Sequence, residues 1–202
     1  LVTFTGGVGI GKYIASKAGY RRMVLELGGT DPIIVMEDAD LDEASTLAVQ
    51  GSYKNSGQRC TAIKRMLVHE AVAAEFVEQV VAKTQAWKHG DPMDKANDMG
   101  TVIDEQAAML FESRVNEAVA QGAKLLVGNQ RQGALYAPTV LDQVAPRMTG
   151  AREETFGPVS PIIRFSNIDE AIRISNGTAY GLSSAVCTNR MDYITRFINE
   201  LQ

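Results

Sequence analysis

The chain has two cysteines, and the residues around them differ in kind. Cys60 ends the polar stretch Asn55-Ser56-Gly57-Gln58-Arg59-Cys60, whereas Cys187 lies inside the apolar run Ser184–Thr188. Positions 54 to 69 hold no carboxylate but four cations, Lys54, Arg59, Lys64 and Arg65. Nearby positive charge stabilises a thiolate, the form in which cysteine is a nucleophile. Although a cysteine is more often a small buried apolar side chain, this setting predicts a reactive Cys60 and a structural Cys187.

One carboxylate interrupts the apolar run Val24-Leu25-Glu26-Leu27, which Gly28-Gly29 follows. Burying an ionised carboxylate in apolar surroundings is expensive. Glu26 therefore either faces solvent at the end of a strand or serves as a general base beside a reacting group. The residues alone leave both interpretations open.

A glycine-rich segment, Gly6-Gly7-Val8-Gly9-Ile10-Gly11-Lys12-Tyr13, follows the strand-like run Leu1–Thr5. It fits the phosphate-loop spacing G-x-x-x-x-G-K, but Tyr13 stands where that loop needs Ser or Thr for magnesium, which argues against a nucleoside triphosphatase. The dinucleotide pattern G-x-G-x-x-G is not met either. The segment predicts a strand–glycine–helix turn whose free backbone N–H groups can face a phosphate. A plain tight turn is the alternative.

A cysteine–histidine hydrolase would need an imidazole within hydrogen-bond reach of Cys60. The nearest histidine, His69, is nine residues away along a predicted strand, and at about 3.3 Å per residue that is far out of reach. His89 would have to fold back from the end of a helix. Further along, the stretch Glu153-Glu154-Thr155-Phe156-Gly157-Pro158 is by itself typical of a solvated loop.

Apolar runs and helical periodicities alternate along the chain. The predicted strands are 1–5, 23–27, 33–36, 66–69, 124–127, 135–141, 162–165 and 185–188. The predicted helices follow the glycine-rich segment, the capping box at 40–43, residue 72, residue 104, the cap at residue 167 and residue 191. This alternation predicts an α/β fold, a mostly parallel sheet flanked by helices on both faces.

The bulk properties narrow the class of protein. A net charge of −4 gives no global reason to expect a nucleic acid or an anionic membrane as partner, and no apolar run approaches the ~20 residues of a transmembrane helix. The cysteines lack metal-ligand spacing, so no metal site is expected. Free thiols fit a reducing compartment, and we expect the cytoplasm. The strand-like start at Leu1, without an initiator Met, leads us to expect a fragment of a longer chain.

Five short motifs, taken in order, resemble those of the aldehyde dehydrogenase superfamily across the whole chain. They are Phe4-Thr5-Gly6-Gly7 with Gly11-Lys12, Leu25-Glu26-Leu27-Gly28-Gly29, Gly57-Gln58-Arg59-Cys60, Glu154-Thr155-Phe156-Gly157-Pro158, and Asn176 with Tyr180-Gly181-Leu182. Each motif is weak alone, and together they are a strong signal. The resemblance implies the fold of that superfamily's catalytic domain. It also implies oxidation of an aldehyde with NAD or NADP, of which we expect NAD.

The resemblance also implies roles for the matching residues. Cys60 would attack the aldehyde to give a thiohemiacetal and then a thioester, which water activated by Glu26 would hydrolyse, while the Cys60 N–H would donate to the oxyanion. The implied cofactor contacts are Gly6, Gly7 and Gly11 near the phosphates, Leu27, Glu154 at the nicotinamide ribose and Phe156 beside it. Residues 1–28 would close the dinucleotide-binding domain, and residues 29–202 would form the catalytic domain. We expect the fragment alone to be inactive and the parent protein to be a homodimer or homotetramer.

The sequence departs from the superfamily pattern in several places. Gly7 replaces the usual Ser, which removes one phosphate contact, and Thr30 replaces the Lys that commonly follows L-E-L-G-G. The superfamily's first cofactor strands, its oxyanion Asn and its oligomerisation strand have no counterpart in these residues.

Within the superfamily, residues 57–65 look most similar to phosphonoacetaldehyde dehydrogenases and next to non-phosphorylating glyceraldehyde-3-phosphate dehydrogenases. Both act on aldehydes that carry a phosphorus oxyanion, which a guanidinium can bind through two hydrogen bonds. We therefore expect Arg59 to bind a small anionic aldehyde, phosphonoacetaldehyde first. Glyceraldehyde 3-phosphate or another semialdehyde is the alternative. Two further hypotheses remain: Arg59 tunes Cys60 or pairs with an acid, and the chain is a catalytically silent interaction module.

Overall fold

The computed structural model describes all 202 residues, which form ten strands and seven helices. The strands are β1 Val2–Thr5, β2 Met23–Glu26, β3 Asp31–Val35, β4 Ile63–His69, β5 Lys124–Val127, β6 Arg131–Gln132, β7 Leu135–Tyr136, β8 Thr139–Asp142, β9 Val159–Phe165 and β10 Ala185–Cys187. The helices are α1 Val8–Lys17, α2 Leu41–Tyr53, α3 Ala73–Ala86, α4 Glu105–Ala120, α5 Thr149–Arg152, α6 Ile168–Ser175 and α7 Met191–Glu200.

Six strands form the main sheet, in the order β10-β3-β4-β9-β8-β5. Every neighbouring pair is parallel except the edge pair β5–β8, so the predicted α/β architecture with a mostly parallel sheet is confirmed. Parallel strands are covered by helices on both faces, so their sequences are continuous apolar runs. The run Ile33-Ile34-Val35 in β3 shows this, since none of its three side chains is exposed.

The two faces of the main sheet are packed by different helices. Ile33 and Val35 belong to a core cluster with Phe76 of α3 and Val49 of α2, whereas Ile34 belongs to a second cluster that Phe111 of α4 joins. Successive residues of a strand point to opposite faces, so one short strand contributes to both cores. No helix is long and apolar enough to cross a membrane.

A second, small sheet consists of β1 and β2 alone, joined in parallel through α1. Its register pairs Thr5 with Glu26, so the two strands end side by side. The Gly6 N–H donates to the Glu26 carbonyl at 3.0 Å and continues the pairing one residue further. The glycine-rich turn and the L-E-L-G-G segment therefore both leave the small sheet at the carboxyl ends of its strands.

The strand predicted over residues 135–141 is wrong as a single element. Leu135–Tyr136 forms a hairpin with Arg131–Gln132 (β7 with β6), while Thr139–Asp142 (β8) pairs with β9 in the main sheet. Pro138 separates the two strands and has no backbone N–H to offer a ladder. Apolar periodicity alone does not show this change of sheet.

Candidate active site

A cleft of about 370 Å³ lies where the small sheet approaches the main sheet. Its lining comes from the ends of β1 and β2 and from the loops that precede β4 and β9; the residues are Thr5, Gly6, Gly7, Glu26, Leu27, Gly28, Gln58, Arg59, Cys60, Glu154 and Phe156. All the residues predicted for a site therefore meet here except Gly11. Motifs that are separated by up to about 150 positions in sequence share one surface.

Gly11 has a packing role instead. A Cβ atom at this position would lie 2.5 Å from Cδ2 of Leu27, so the absence of a side chain lets α1 pack closely on the L-E-L-G-G segment. Gly7 is different, since nothing lies within 4 Å of the position of its missing Cβ. As the N-cap of α1 it supplies no side-chain acceptor, so the first N–H groups of the helix are free of any side-chain cap.

The turn that leads to Cys60 has an unusual backbone. Asn55, Ser56 and Gly57 all have left-handed φ angles, of 56°, 56° and 69°. Gly57 is required here twice over, because a Cβ would also lie 2.3 Å from the Gly157 carbonyl oxygen. Left-handed non-glycine residues cost on the order of 1 kcal/mol or more each, so the surrounding structure must hold them.

Two side chains attach this turn to the loop before α4. The Ser56 hydroxyl donates to the carbonyls of Gly100 and Thr101 at 3.1 and 3.2 Å. The Gln58 Oε1 accepts from the Ile103 N–H at 2.7 Å. Ser56 and Gln58 on either side of Gly57 are therefore held by contacts from outside the turn, and Cys60 follows a fixed backbone.

Arg59 lies in the cleft wall, partly buried, with its Nη2 donating to the Gly51 carbonyl of α2 at 2.6 Å. Its Nε is buried without a hydrogen-bond partner. The guanidinium therefore pairs with no acid in the chain, so the hypothesis that Arg59 forms an ion pair with an acid is not supported. Nη2 is bound to α2 and Nε is enclosed, whereas Nη1 makes no hydrogen bond within the chain.

Lys64 lies beneath the nucleophile and is 3% exposed. Its Nζ donates to the carbonyls of Arg59 and Cys60 at 2.8 and 2.7 Å, and it lies 3.7 Å from the Glu154 carboxylate, an ion pair too long for a hydrogen bond. Burial lowers the pKa of Lys64, while Glu154, Asp31 and Cys60 act in the opposite direction. The ammonium thus connects the Cys60 loop to a predicted cofactor residue.

Glu154 is held over the L-E-L-G-G glycines. Its Oε1 accepts from the Gly29 N–H at 3.1 Å, and a Cβ at Gly28 would lie 2.1 Å from Oε2. Phe156, two residues on, is exposed, and the Lys64 Nζ lies 6.0 Å from the centre of its ring. Glu26 is also exposed, at the end of β2 on the cleft, which places the carboxylate at a strand end within reach of water.

Cys187 and the histidines lie away from the cleft. Cys187 is half-buried in β10, where burial and then Glu43 raise the pKa of its thiol to about 11. His69 ends β4, the strand that begins after Cys60, and its Nδ1 accepts from the Ala71 N–H at 3.2 Å. No histidine lines the cleft, so Cys60 has no imidazole partner of the kind a cysteine hydrolase uses.

The sequence did not single out several residues that organise the site. Lys64 counted only as one of four nearby cations, and Gly157 only as part of a motif. Arg114 of α4 carries no sequence signal, although its Nη1 donates to the Glu154 carbonyl at 2.6 Å and to the Thr155 hydroxyl at 3.0 Å. A buried lysine just inside an apolar strand was the one available signal, because such a charge needs partners.

Comparison with known proteins identifies the family. A model of the aldehyde dehydrogenase family matches residues 1–202. The chain belongs to the aldehyde dehydrogenase family. It is 40% identical over 200 residues to the sulfoacetaldehyde dehydrogenase of Neptuniibacter caesariensis, covering 99% of this chain and 44% of that protein. It is 42% identical over 201 residues to the NADP-dependent glyceraldehyde-3-phosphate dehydrogenase of Streptococcus equinus, covering 100% and 42%.

A solved structure of the family confirms the predicted aldehyde dehydrogenase fold. The glyceraldehyde-3-phosphate dehydrogenase of Methanocaldococcus jannaschii, complexed with NADP, superposes with a TM-score of 0.96 at 39% identity. The superposition covers 100% of this chain and 44% of that one. The chain therefore spans less than half the length of the aldehyde dehydrogenases it matches.

The chemistry of this aldehyde dehydrogenase cleft fits the nicotinamide end of a dinucleotide. The Glu154 Oε2 lies in the cleft wall over Gly28 and takes part in none of that carboxylate's hydrogen bonds, so it is available to a ribose hydroxyl. Gly6 and Gly7 expose backbone at the start of a helix without a side-chain cap, an arrangement that suits a phosphate. The cleft thus brings a cysteine, two carboxylates and exposed glycine backbone to one surface.

Proposed function

We propose that the chain is the nucleophile-bearing part of a longer NAD(P)-dependent enzyme that oxidises small anionic aldehydes. The observation that carries this proposal is the single cleft shared by Cys60, Glu26, Glu154 and the Gly6–Gly7 turn. The proposed division at residue 28 agrees with the sheets, since β1 and β2 stand apart from the main sheet that begins with β3. Residues 1–28 then close the dinucleotide-binding domain, and residues 29–202 form the catalytic domain.

The reaction begins when the Cys60 thiolate adds to the aldehyde carbon and the carbonyl oxygen becomes an oxyanion. The Cys60 N–H, which donates to no backbone carbonyl in the chain, is available to stabilise that charge. When bound, the oxidised nicotinamide ring supplies the acceptor for the hydride that leaves the same carbon. The carbon then remains on the Cys60 sulfur as a thioester.

Release of the acid requires water, and Glu26 lies where water can reach. The carboxylate removes a proton from a water molecule, whose oxygen attacks the thioester carbon. The carbon–sulfur bond breaks, the carboxylic acid leaves, and the electron pair returns to Cys60 as a thiolate. The chain uses NAD or NADP, with NAD expected from the sequence, although the solved relative from Methanocaldococcus jannaschii is complexed with NADP.

The substrate class rests on Arg59. The bond from Nη2 to the Gly51 carbonyl holds the guanidinium in the cleft wall one residue from the nucleophile, and leaves Nη1 for an anionic group. The similar enzymes from Neptuniibacter and Streptococcus are named for aldehydes that carry a sulfonate and a phosphate. Our first candidate is phosphonoacetaldehyde, whose phosphonate is a tetrahedral oxyanion as both of those groups are. Glyceraldehyde 3-phosphate and sulfoacetaldehyde follow.

The test is a substrate panel on the full-length enzyme and its Arg59→Ala variant. Removing one charge-assisted contact should lower kcat/KM for phosphonoacetaldehyde about 10- to 150-fold and leave neutral propanal nearly unchanged. Equal losses on both substrates would mean that Arg59 acts on Cys60 rather than on the anion. Wild-type protein that oxidises no aldehyde with either cofactor would instead favour the catalytically silent interaction module.

A further inference from the structure

Lys64 occupies a position that the reaction outlined above does not yet use. Its side chain is buried, and two of its three Nζ donors go to the carbonyls on either side of the nucleophile, those of Arg59 and Cys60. The Arg59 carbonyl also accepts from the Ala62 N–H at 3.2 Å, whereas the Cys60 carbonyl accepts from no backbone N–H. One ammonium therefore contacts both peptide planes that meet at the Cys60 Cα, and it is the only hydrogen-bond donor to the second.

The geometry of the peptide group relates the Lys64 contact to the orientation of the Cys60 N–H. The Arg59 carbonyl and the Cys60 N–H belong to the same peptide, and the chain has no cis peptide bond. In a planar trans peptide the two groups point in opposite directions. Since Lys64 and the Ala62 N–H both bind the Arg59 carbonyl, the Cys60 N–H points away from them, and it donates to no backbone carbonyl. A cation on the carbonyl also polarises the peptide and strengthens the N–H as a donor.

We propose that Lys64 is a positioning residue which, by binding the Arg59 and Cys60 carbonyls, directs the Cys60 N–H toward the oxyanion. The inference rests on the proposed function, because it assumes that an oxyanion forms beside Cys60. Lys64 does not touch the substrate. Its effect passes through one peptide plane, so it acts on the oxidation of the aldehyde rather than on the reactivity of the thiol as such.

Arg65 provides a matched control on the same strand. It is also 3% exposed, but its donors go to the carbonyls of Thr30, Ile174 and Ser175. Its three bonds connect β4 to the start of β3 and to the end of α6, and none of them reaches Cys60. A change at Arg65 therefore disturbs a buried cation without releasing the Cys60 peptide.

The experiment compares Lys64→Met, Lys64→Gln and Arg65→Lys in the full-length enzyme. Two rates are measured against pH: kcat for aldehyde oxidation, and alkylation of Cys60 by iodoacetamide, which forms no oxyanion that this N–H must stabilise. Removing an oxyanion donor costs about 10²- to 10³-fold, and a misdirected donor should cost part of that. We expect Lys64→Met to lower kcat about 10- to 100-fold on the high-pH plateau, where every variant carries a thiolate.

The alkylation plateau should stay within about twofold of wild type in the same variant, since Cys60 still lines the cleft and the thiolate is the reacting form. Lys64→Gln keeps an N–H donor, so its kcat should lie between those of wild type and Lys64→Met. Arg65→Lys should lower Tm and keep kcat.

Three results would overturn the inference. They are an unchanged kcat in folded Lys64→Met, a parallel fall of the kcat and alkylation plateaus, and a loss of kcat in Arg65→Lys as large as that in Lys64→Met. If Lys64→Met does not fold, Lys64→Gln is judged by the same two plateaus. Wild-type protein that alkylates at Cys60 but oxidises no aldehyde would reject the proposed function itself, a separate outcome.

Discussion

The chain holds the same side chain, a free cysteine, in two opposite settings. Cys60 follows a left-handed turn that contacts from other loops hold in place, beside two cations and at the surface of a cleft. Cys187 lies in a regular edge strand, where burial raises its thiol pKa to about 11. The comparison teaches that a regular strand buries its sulfur and raises the thiol pKa, whereas an irregular backbone held from outside places a cysteine at the surface of a cleft.

The largest expected effect separates the two cysteines directly. Replacing Cys60 with Ala in the full-length enzyme should lower kcat by about 10⁴-fold or more, as removal of a nucleophile does. Cys187→Ala should change kcat less than about twofold, because it lies outside the cleft. Aldehyde-dependent formation of NAD(P)H is the measurement. Undiminished turnover in Cys60→Ala would contradict both the distinction between the two cysteines and the proposed function.

The second prediction asks whether the chemistry at Cys60 divides into two steps. Glu26→Gln should still form the thioester, because attack and hydride loss do not need the carboxylate, but steady-state turnover should fall about 10²- to 10⁴-fold. Rapid mixing should show a burst of NAD(P)H close to one equivalent per site, followed by a slow phase. A normal burst with a normal steady state would show that Glu26 is not the base.

The third prediction sharpens the contrast through pH. Because burial, with a smaller contribution from Glu43, raises the pKa of Cys187 from 9.0 to about 11, the folded protein holds this proton more tightly than the unfolded chain. Its alkylation in a Cys60→Ala background should rise roughly 100-fold from pH 8 to pH 10, tenfold per unit. Stability contributed by the protonated thiol is present below pH 9 and declines toward pH 11. An alkylation plateau already reached near pH 9 would contradict this assignment.

The smallest effect concerns the turn before Cys60. Gly57→Ala meets both a left-handed φ of 69° and the Gly157 carbonyl at 2.3 Å, whereas Gly133→Ala meets a φ of 58° and open space. Both variants incur the conformational cost, so the free energy of unfolding should fall by about 2 kcal/mol more for Gly57→Ala. Urea denaturation of the two variants gives the difference. Equal losses would mean that the turn can move away from Gly157.

The local pieces of the site could be predicted from the sequence because each has a signature of its own. The apolar runs marked the buried parallel strands, and the acidic cap Asp40 and the cap Asn167 hold their helices as predicted, accepting from Asp42, Glu43 and Glu170 N–H groups. The motif order led to the family. The α/β class and the residues that line the cleft followed from these signals.

What could not be predicted depends on contacts between distant segments. The residues Asn55-Ser56-Gly57 do not by themselves predict three consecutive left-handed φ angles. The turn depends on hydrogen bonds to residues 100–103 and on the close approach of Gly157. The bond from Arg59 to Gly51 is of the same kind, a long side chain that could have reached several acceptors. The division of residues 135–141 between two sheets likewise depends on the strands with which they pair, β6 and β9.

The edge position of β10 has a consequence for how the protein is made. Its neighbour β3 is fully buried in the finished fold, and Thr188 and Asp38, beside the two strands, are bonded across 150 residues of sequence. At a synthesis rate of about 5–20 residues per second, β3 waits on the order of 8 to 30 s for that partner to emerge from the ribosome. During this interval an apolar strand edge stays open to other chains. The nascent protein should therefore depend on chaperones more than its finished stability would suggest.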